Sequence, residues 1–147
     1  MYKKKLSLIK DYWVRNPCEE WFFGSGISCK DIDKIDLEQF RYNSFLRYSS
    51  EPEVLKFGNF KELKGLNVLE VGYGLGSDAV LITKFAKHYS GIDISEVSHD
   101  ITLKRLKMHG LKNFSLSVGS STDLDYADNT FDFVYSWGVI HHSGYIK

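Results

Sequence analysis

The chain has 147 residues, 43% apolar and 15% aromatic, enough to bury the core of one ordinary domain and too apolar for a disordered chain. Its 19 basic and 19 acidic residues cancel, so the basic excess typical of nucleic-acid binders is missing. Neither cysteine, Cys18 or Cys29, lies in a CxxC pair or near histidines at zinc-finger spacing, which excludes the usual structural metal patterns.

The first part, residues 1–65, is irregular and rich in aromatic residues. It opens on the basic run Lys3-Lys4-Lys5, read as a solvated, frayed end. No apolar core followed by a small-residue cleavage site marks a signal peptide, and no stretch is long enough to span a membrane. A soluble, cytoplasmic protein is expected. Tyr12, Trp13, Trp21, Phe22 and Phe23, broken by Pro17 and Gly24-Ser25-Gly26, suggest loops and short helices held by aromatic anchors. Leu37, Phe40, Arg41, Phe45 and Tyr48 recur at helical steps and predict a helix over 36–48. Ser50-Glu51-Pro52-Glu53 combines a capping hydroxyl, an early proline and first-turn acids, predicting a helix from there towards Phe57, ended by Gly58.

From residue 66 to 147, strand and helix signals alternate. Strands are expected at 67–71, 89–94, 114–118 and 131–137. Helices are expected at 77–87 and from Ser95 to His109-Gly110, with Ser95 as cap. Asp128-Asn129 is a turn. The fourth strand is mostly apolar and is expected to be buried on both faces. This order predicts an α/β fold, a parallel sheet with crossover helices, preceded by a mostly helical extension that is a candidate lid.

The segment Val68-Leu69-Glu70-Val71-Gly72-Tyr73-Gly74-Leu75-Gly76-Ser77-Asp78 runs from a strand through three alternate glycines into a helix. Glycines allow close approach of backbone to a ligand, and a helix start offers unpaired N–H groups. Two ligand classes use such a loop. The dinucleotide fingerprint is G-x-G-x-x-G, but here the third glycine comes one position early. With Glu70 two residues before the first glycine, the pattern E-x-G-x-G-x-G resembles motif I of class I (Rossmann-like) S-adenosylmethionine-dependent methyltransferases.

Three further stretches carry that resemblance. Gly91-Ile92-Asp93-Ile94-Ser95 places Asp93 at a strand end roughly 20 residues past the loop, where a carboxylate can accept both ribose hydroxyls. Gly119-Ser120-Ser121-Thr122-Asp123-Leu124 resembles the family's adenine-framing stretch, with Ser120 in place of the usual acid or asparagine. Phe131-Asp132-Phe133-Val134-Tyr135-Ser136-Trp137-Gly138-Val139-Ile140-His141-His142 is similar to the family's fourth strand and following turn. More loosely, Asp11-Tyr12-Trp13, Asn16-Pro17-Cys18 and Leu37 to Tyr42 are similar to the leader of one small-molecule group.

The resemblance implies S-adenosylmethionine as cofactor. It places Gly72 and Gly74 against the methionine part with Glu70 near its ammonium, Gly76 in the cofactor-binding loop, Asp93 on the ribose, Ser120 and Asp123 by the adenine, and Ser136 and Trp137 along the cofactor. His141 and His142 are the candidate catalytic residues, as base or acceptor-orienting groups. No metal is required. The strand end carries no N-P-P-Y or D-P-P-Y signature of base-amine methylation, so a small-molecule acceptor is expected rather than nucleic acid or membrane. The family's sheet has seven strands, and the chain stops after the fourth, so a fragment is expected. A non-catalytic cofactor-binding remnant and a nicotinamide-dependent oxidoreductase stay open as alternatives.

Overall fold

The computed structural model describes residues 2–17, 29 and 31–143. Trp21, Phe22, Phe23, the Gly24–Gly26 break and Cys18 lie outside them.

The first helix, α1 (Tyr2–Arg15), takes in Lys3-Lys4-Lys5, so the basic run begins a helix rather than a frayed end. The reason is a stripe at helical spacing, Leu6, Ile9 and Trp13, whose half-buried side chains face one cavity. Lys10 on the same helix pairs with Glu96.

Helix α2 (Leu37–Ser50) starts at a capping box. Asp36 accepts from the Gln39 N–H at 2.9 Å, and the Gln39 side chain accepts from the Asp36 N–H at 2.7 Å. The helix runs to Ser50, so Ser50 ends α2 and caps nothing. Helix α3 (Glu53–Gly58) begins behind Pro52 without a side-chain cap. Gly58 stays helical and Asn59 takes the left-handed turn instead. Gly58 serves close packing, because a Cβ there would lie 2.4 Å from the Phe60 ring.

The sheet comprises β1 (Asn67–Val71), β2 (His88–Asp93), β3 (Phe114–Val118) and β4 (Phe133–Tyr135), all parallel, in the order β3-β2-β1-β4. Helix α4 (Ser77–Phe85) connects β1 to β2, and α5 (Glu96–Met108) connects β2 to β3. Ser95 caps α5 by accepting the Ser98 N–H at 3.2 Å. This is a doubly wound Rossmann-like sheet, and the order reverses between β1 and β4. The carboxyl ends of the strands open there into a crevice.

The fourth strand is shorter than its sequence suggests and is not buried on both faces. Phe133 and Tyr135 face the helices, while Val134 points the other way and is 58% exposed. As an edge strand it pairs with β1 alone among the described residues. An all-apolar strand therefore does not guarantee two covered faces.

The main core draws on both parts of the chain. Val54, Phe60 and Leu63 pack with Val68, Ile82, Tyr89 and Tyr135. A second cluster joins Ile35 and Phe40 to Leu75 and Ile101. Arg105, fully buried, fastens α2 to α5: it donates to Asn43 Oδ1 and the Leu75 carbonyl at 2.8 Å and to the Phe40 carbonyl at 2.9 Å. Its guanidinium also lies 5.1 Å from the Phe40 ring centroid. A buried charge is tolerable only when bonded in this way. Among the described residues, no helix is long and apolar enough to cross a membrane.

Candidate functional site

The glycine loop leaves β1 and enters α4 with its backbone in the left-handed region. At Gly72 φ is +82°, and a Cβ would lie 2.3 Å from the Val139 side chain. Gly76 precedes α4 with φ +77°, where a Cβ would meet Thr102 at 2.7 Å. Only glycine satisfies both the angle and the close approach at these two positions.

Asp93, at the end of β2, is tied to this loop. One carboxylate oxygen accepts the Gly74 N–H and the other the Ser95 N–H, each at 2.9 Å. Burial raises its pKa above the ordinary carboxylate value, and these backbone N–H groups offset part of the rise. The carboxylate retains further lone pairs for a ligand.

Glu70 lies deeper, only 3% exposed, and accepts the Tyr89 hydroxyl at 2.6 Å. Burial pushes its pKa well up, and the nearby Asp78 adds to the rise; the Tyr89 hydrogen bond and Arg47 oppose it. Beside it sits a polar cluster the sequence did not announce. Asp78, in the first turn of α4, accepts from Arg47 at 3.0 and 3.4 Å, from Tyr48 at 3.0 Å and from Tyr135 at 2.9 Å. Arg47 also reaches Glu51 at 3.4 Å, and Glu51 accepts from the Trp137 indole at 3.0 Å. One helix of the extension thus braces both the glycine-loop helix and the end of β4.

These groups surround a cavity of about 200 Å³. Of the residues singled out from the sequence, Glu70, Gly72, Gly74, Asp93, Ser120, Trp137 and His142 line it. The other four do not. Gly76 is taken up by the turn packed on Thr102, and Ser136 donates to the Val71 carbonyl at 2.9 Å. Asp123 is exposed on the turn that follows Ser120. His141 is exposed and lies beside His142, their ring centroids 3.9 Å apart. The His142 ring is also 5.3 Å from the Trp13 ring. Burial, then the neighbouring His141, lowers the His142 pKa and favours a neutral imidazole able to take a proton.

Sequence reasoning missed Arg47, Glu51 and Asp78 as cavity residues. Asp78 stands two places past the last glycine, but Arg47 is 31 residues away from it in sequence, so no local spacing joins them. The one available signal was the step of four from Arg47, in the last turn of α2, to Glu51, the residue after it.

Comparison with known proteins agrees with the architecture. Residues 68–145 match a family described as a methyltransferase domain. Phosphoethanolamine N-methyltransferase 2 of Caenorhabditis elegans is 32% identical over 97 residues, covering 65% of this chain and 22% of that protein. Demethylmenaquinone methyltransferase of Listeria welshimeri is 28% identical over 112 residues, covering 71% of this chain and 47% of that protein. The chain therefore spans from about a fifth to about half of these relatives' lengths. Magnesium protoporphyrin IX methyltransferase from Synechocystis PCC 6803, solved with bound SAH, superposes with a TM-score of 0.63 at 19% identity. The match covers 94% of this chain and 60% of that one, a likeness of fold.

Proposed function

The chain belongs to the methyltransferase-domain family, and from that premise we propose that it binds S-adenosylmethionine over the glycine loop and serves in-line methyl transfer to a small-molecule acceptor. The observation that carries this reading is the meeting of Gly72, Gly74 and Asp93 in one cavity, with the Asp93 carboxylate bonded to the loop itself. The donor set suits this cofactor. A left-handed glycine backbone admits a ligand closely, and an acid at the next strand end matches a ribose diol.

S-adenosylmethionine, when bound, supplies an electrophilic methyl group on a sulfonium, which needs neither metal nor acid to leave. The residues contribute placement, which accounts for much of the acceleration in such a displacement. Gly72 and Gly74 bring the backbone to the amino-acid end, with Glu70 behind them. Asp93 accepts from the ribose hydroxyls. Ser120, on the cavity wall, would hold the adenine, with Asp123 on the turn that follows it. Trp137 walls the cavity, and Ser136 fixes the strand end from behind. His142 orients the acceptor or takes its proton, with His141 packed against it. The extension of residues 1–65 serves as a lid over the cavity, through Leu6, Ile9 and Trp13 of its first helix.

The small-molecule acceptor is supported by the balanced charge and by the named relatives, one a phosphoethanolamine and one a demethylmenaquinone methyltransferase. The test supplies the protein carrying this chain with methyl-labelled S-adenosylmethionine and separate fractions of small metabolites, RNA and protein. Label is expected in the small-metabolite fraction. Label confined to RNA or protein would contradict the acceptor class. Full turnover in both His141→Ala and His142→Ala would remove the histidines from the mechanism.

A further inference from the structure

A second concavity adjoins the glycine-loop cavity across Ser77, which lines both, and lies in the groove between α2, α4 and the end of α5. It has a volume of about 240 Å³. Arg41, Ser44 and Tyr48 line it from α2, Ser77 and Lys84 from α4, and His109 from the residue after α5. No carboxylate is among its lining residues, whereas the glycine-loop cavity is lined by Glu51, Glu70, Asp78 and Asp93. The groove thus has a basic lining without acids, whereas the glycine-loop cavity mixes its acids with Arg47.

Among the described residues, neither Arg41 nor Lys84 takes part in an ion pair or side-chain hydrogen bond. The Nε2 atom of His109 is buried and makes no hydrogen bond. A buried polar atom left unsatisfied carries a cost that a ligand can relieve. Ser44 accepts a hydrogen bond from Arg105 and keeps its own O–H to donate. Tyr48 spends its hydroxyl on Asp78 and shapes the wall. Burial, then the charges of Lys84, Arg105 and Arg41, pull the His109 pKa down to about 4. Burial is the larger cause of that depression, and the three cations add to it.

We propose that this groove is a binding site for a phosphate-class anion, on the far side of Ser77 from the cavity over the glycine loop, with Arg41 and Lys84 as charged clamps and Ser44 and His109 as further donors. Charge-assisted bonds from a guanidinium and an ammonium to phosphate oxygens are the strong kind. The anion belongs either to free phosphate or to a phosphomonoester, which present the same oxygens.

The test titrates the folded protein with inorganic phosphate and, separately, glycerol 3-phosphate in chloride buffer, by calorimetry and by NMR of the His109 ring. One-site saturation is expected, with the His109 pKa rising from about 4 because an anion reverses the field on the ring. The double variant Arg41→Gln/Lys84→Gln, at two exposed positions, is expected to fold and to weaken binding by about tenfold or more, and S-adenosylmethionine binding is expected to be unchanged. Binding of both probes identifies the bare anion as sufficient, and binding of the ester alone identifies a phosphorylated metabolite. No saturation by either probe, equal affinity in the double variant, or an unmoved His109 would overturn the proposal.

Discussion

Asp78 is the residue whose loss should cost the fold most for the fewest atoms removed. It is buried with side-chain exposure of 6%, and its Arg47 partner is at 8%, so solvent screens the pair little. Its two oxygens accept from Arg47, Tyr48 and Tyr135. Removing one partner of such a pair costs about 3–5 kcal/mol, because the other charge stays buried without its counter-ion. Asp78→Ala adds two stranded tyrosine hydroxyls and approaches the whole stability of a small domain, about 5–15 kcal/mol. Asp78→Asn keeps the shape and one acceptor oxygen, so it folds more readily and costs about 3 kcal/mol, the lower end for removing one partner of a buried pair. Tyr135→Phe removes one hydrogen bond to the carboxylate and should cost about 1.5–3 kcal/mol. Urea unfolding followed by circular dichroism measures these losses as shifts of midpoint at constant slope. A double-mutant cycle of Arg47→Met with Asp78→Asn isolates the pair. Losses below about 1 kcal/mol for both Asp78→Asn and Tyr135→Phe would refute the reasoning, since exposed pairs behave that way and buried ones do not.

Three other predictions concern the same framework. Burial holds the folded-state pKa of Glu70 above its ordinary 4.5, so the folded protein binds this proton more tightly than the unfolded chain. Its stabilising contribution is complete below pH 4.5 and is lost as pH rises through the raised folded value, so Glu70→Gln should flatten the fall of the urea midpoint towards neutrality; parallel profiles for the two proteins would count against it. Gly72→Ala forces a Cβ to within 2.3 Å of Val139, whereas Gly110 has open space and only a φ of +71° to satisfy. Gly110→Ala should therefore cost about 1–2 kcal/mol and Gly72→Ala visibly more in the same unfolding assay, equal costs being the contrary result. Ser95→Ala removes the cap of α5 and should cost about 0.5–2 kcal/mol in thermal or urea unfolding, with no loss expected only if the Ser98 N–H finds another acceptor.

The strands and helices of the parallel sheet were legible because glycines, caps and apolar runs are local signals, whereas the order of the strands across the sheet came from the structure. The strand at 114–118 and the Ser95 cap appear where the sequence places them. Asp93 and the glycine loop were legible as a pair for the same reason, since one helix and one strand separate them by a characteristic length. What the sequence did not disclose is long-range. Arg47 and Arg105 look like ordinary surface cations on paper, yet both are buried and fasten the extension to the sheet. Glu51 looks like a helix-start acid, yet it receives the Trp137 indole. The exposed Val134 belongs here too, because the covering of a strand depends on its neighbours and not on its own residues.

The central claim is that the glycine loop and Asp93 together form a working S-adenosylmethionine site. Calorimetric titration of the purified, folded protein with S-adenosylmethionine, with NAD as control, tests it most directly. The account predicts saturable one-site binding of S-adenosylmethionine, no binding of NAD, and a marked loss of affinity in Asp93→Ala. A folded protein that ignores S-adenosylmethionine, or that prefers NAD, would contradict it.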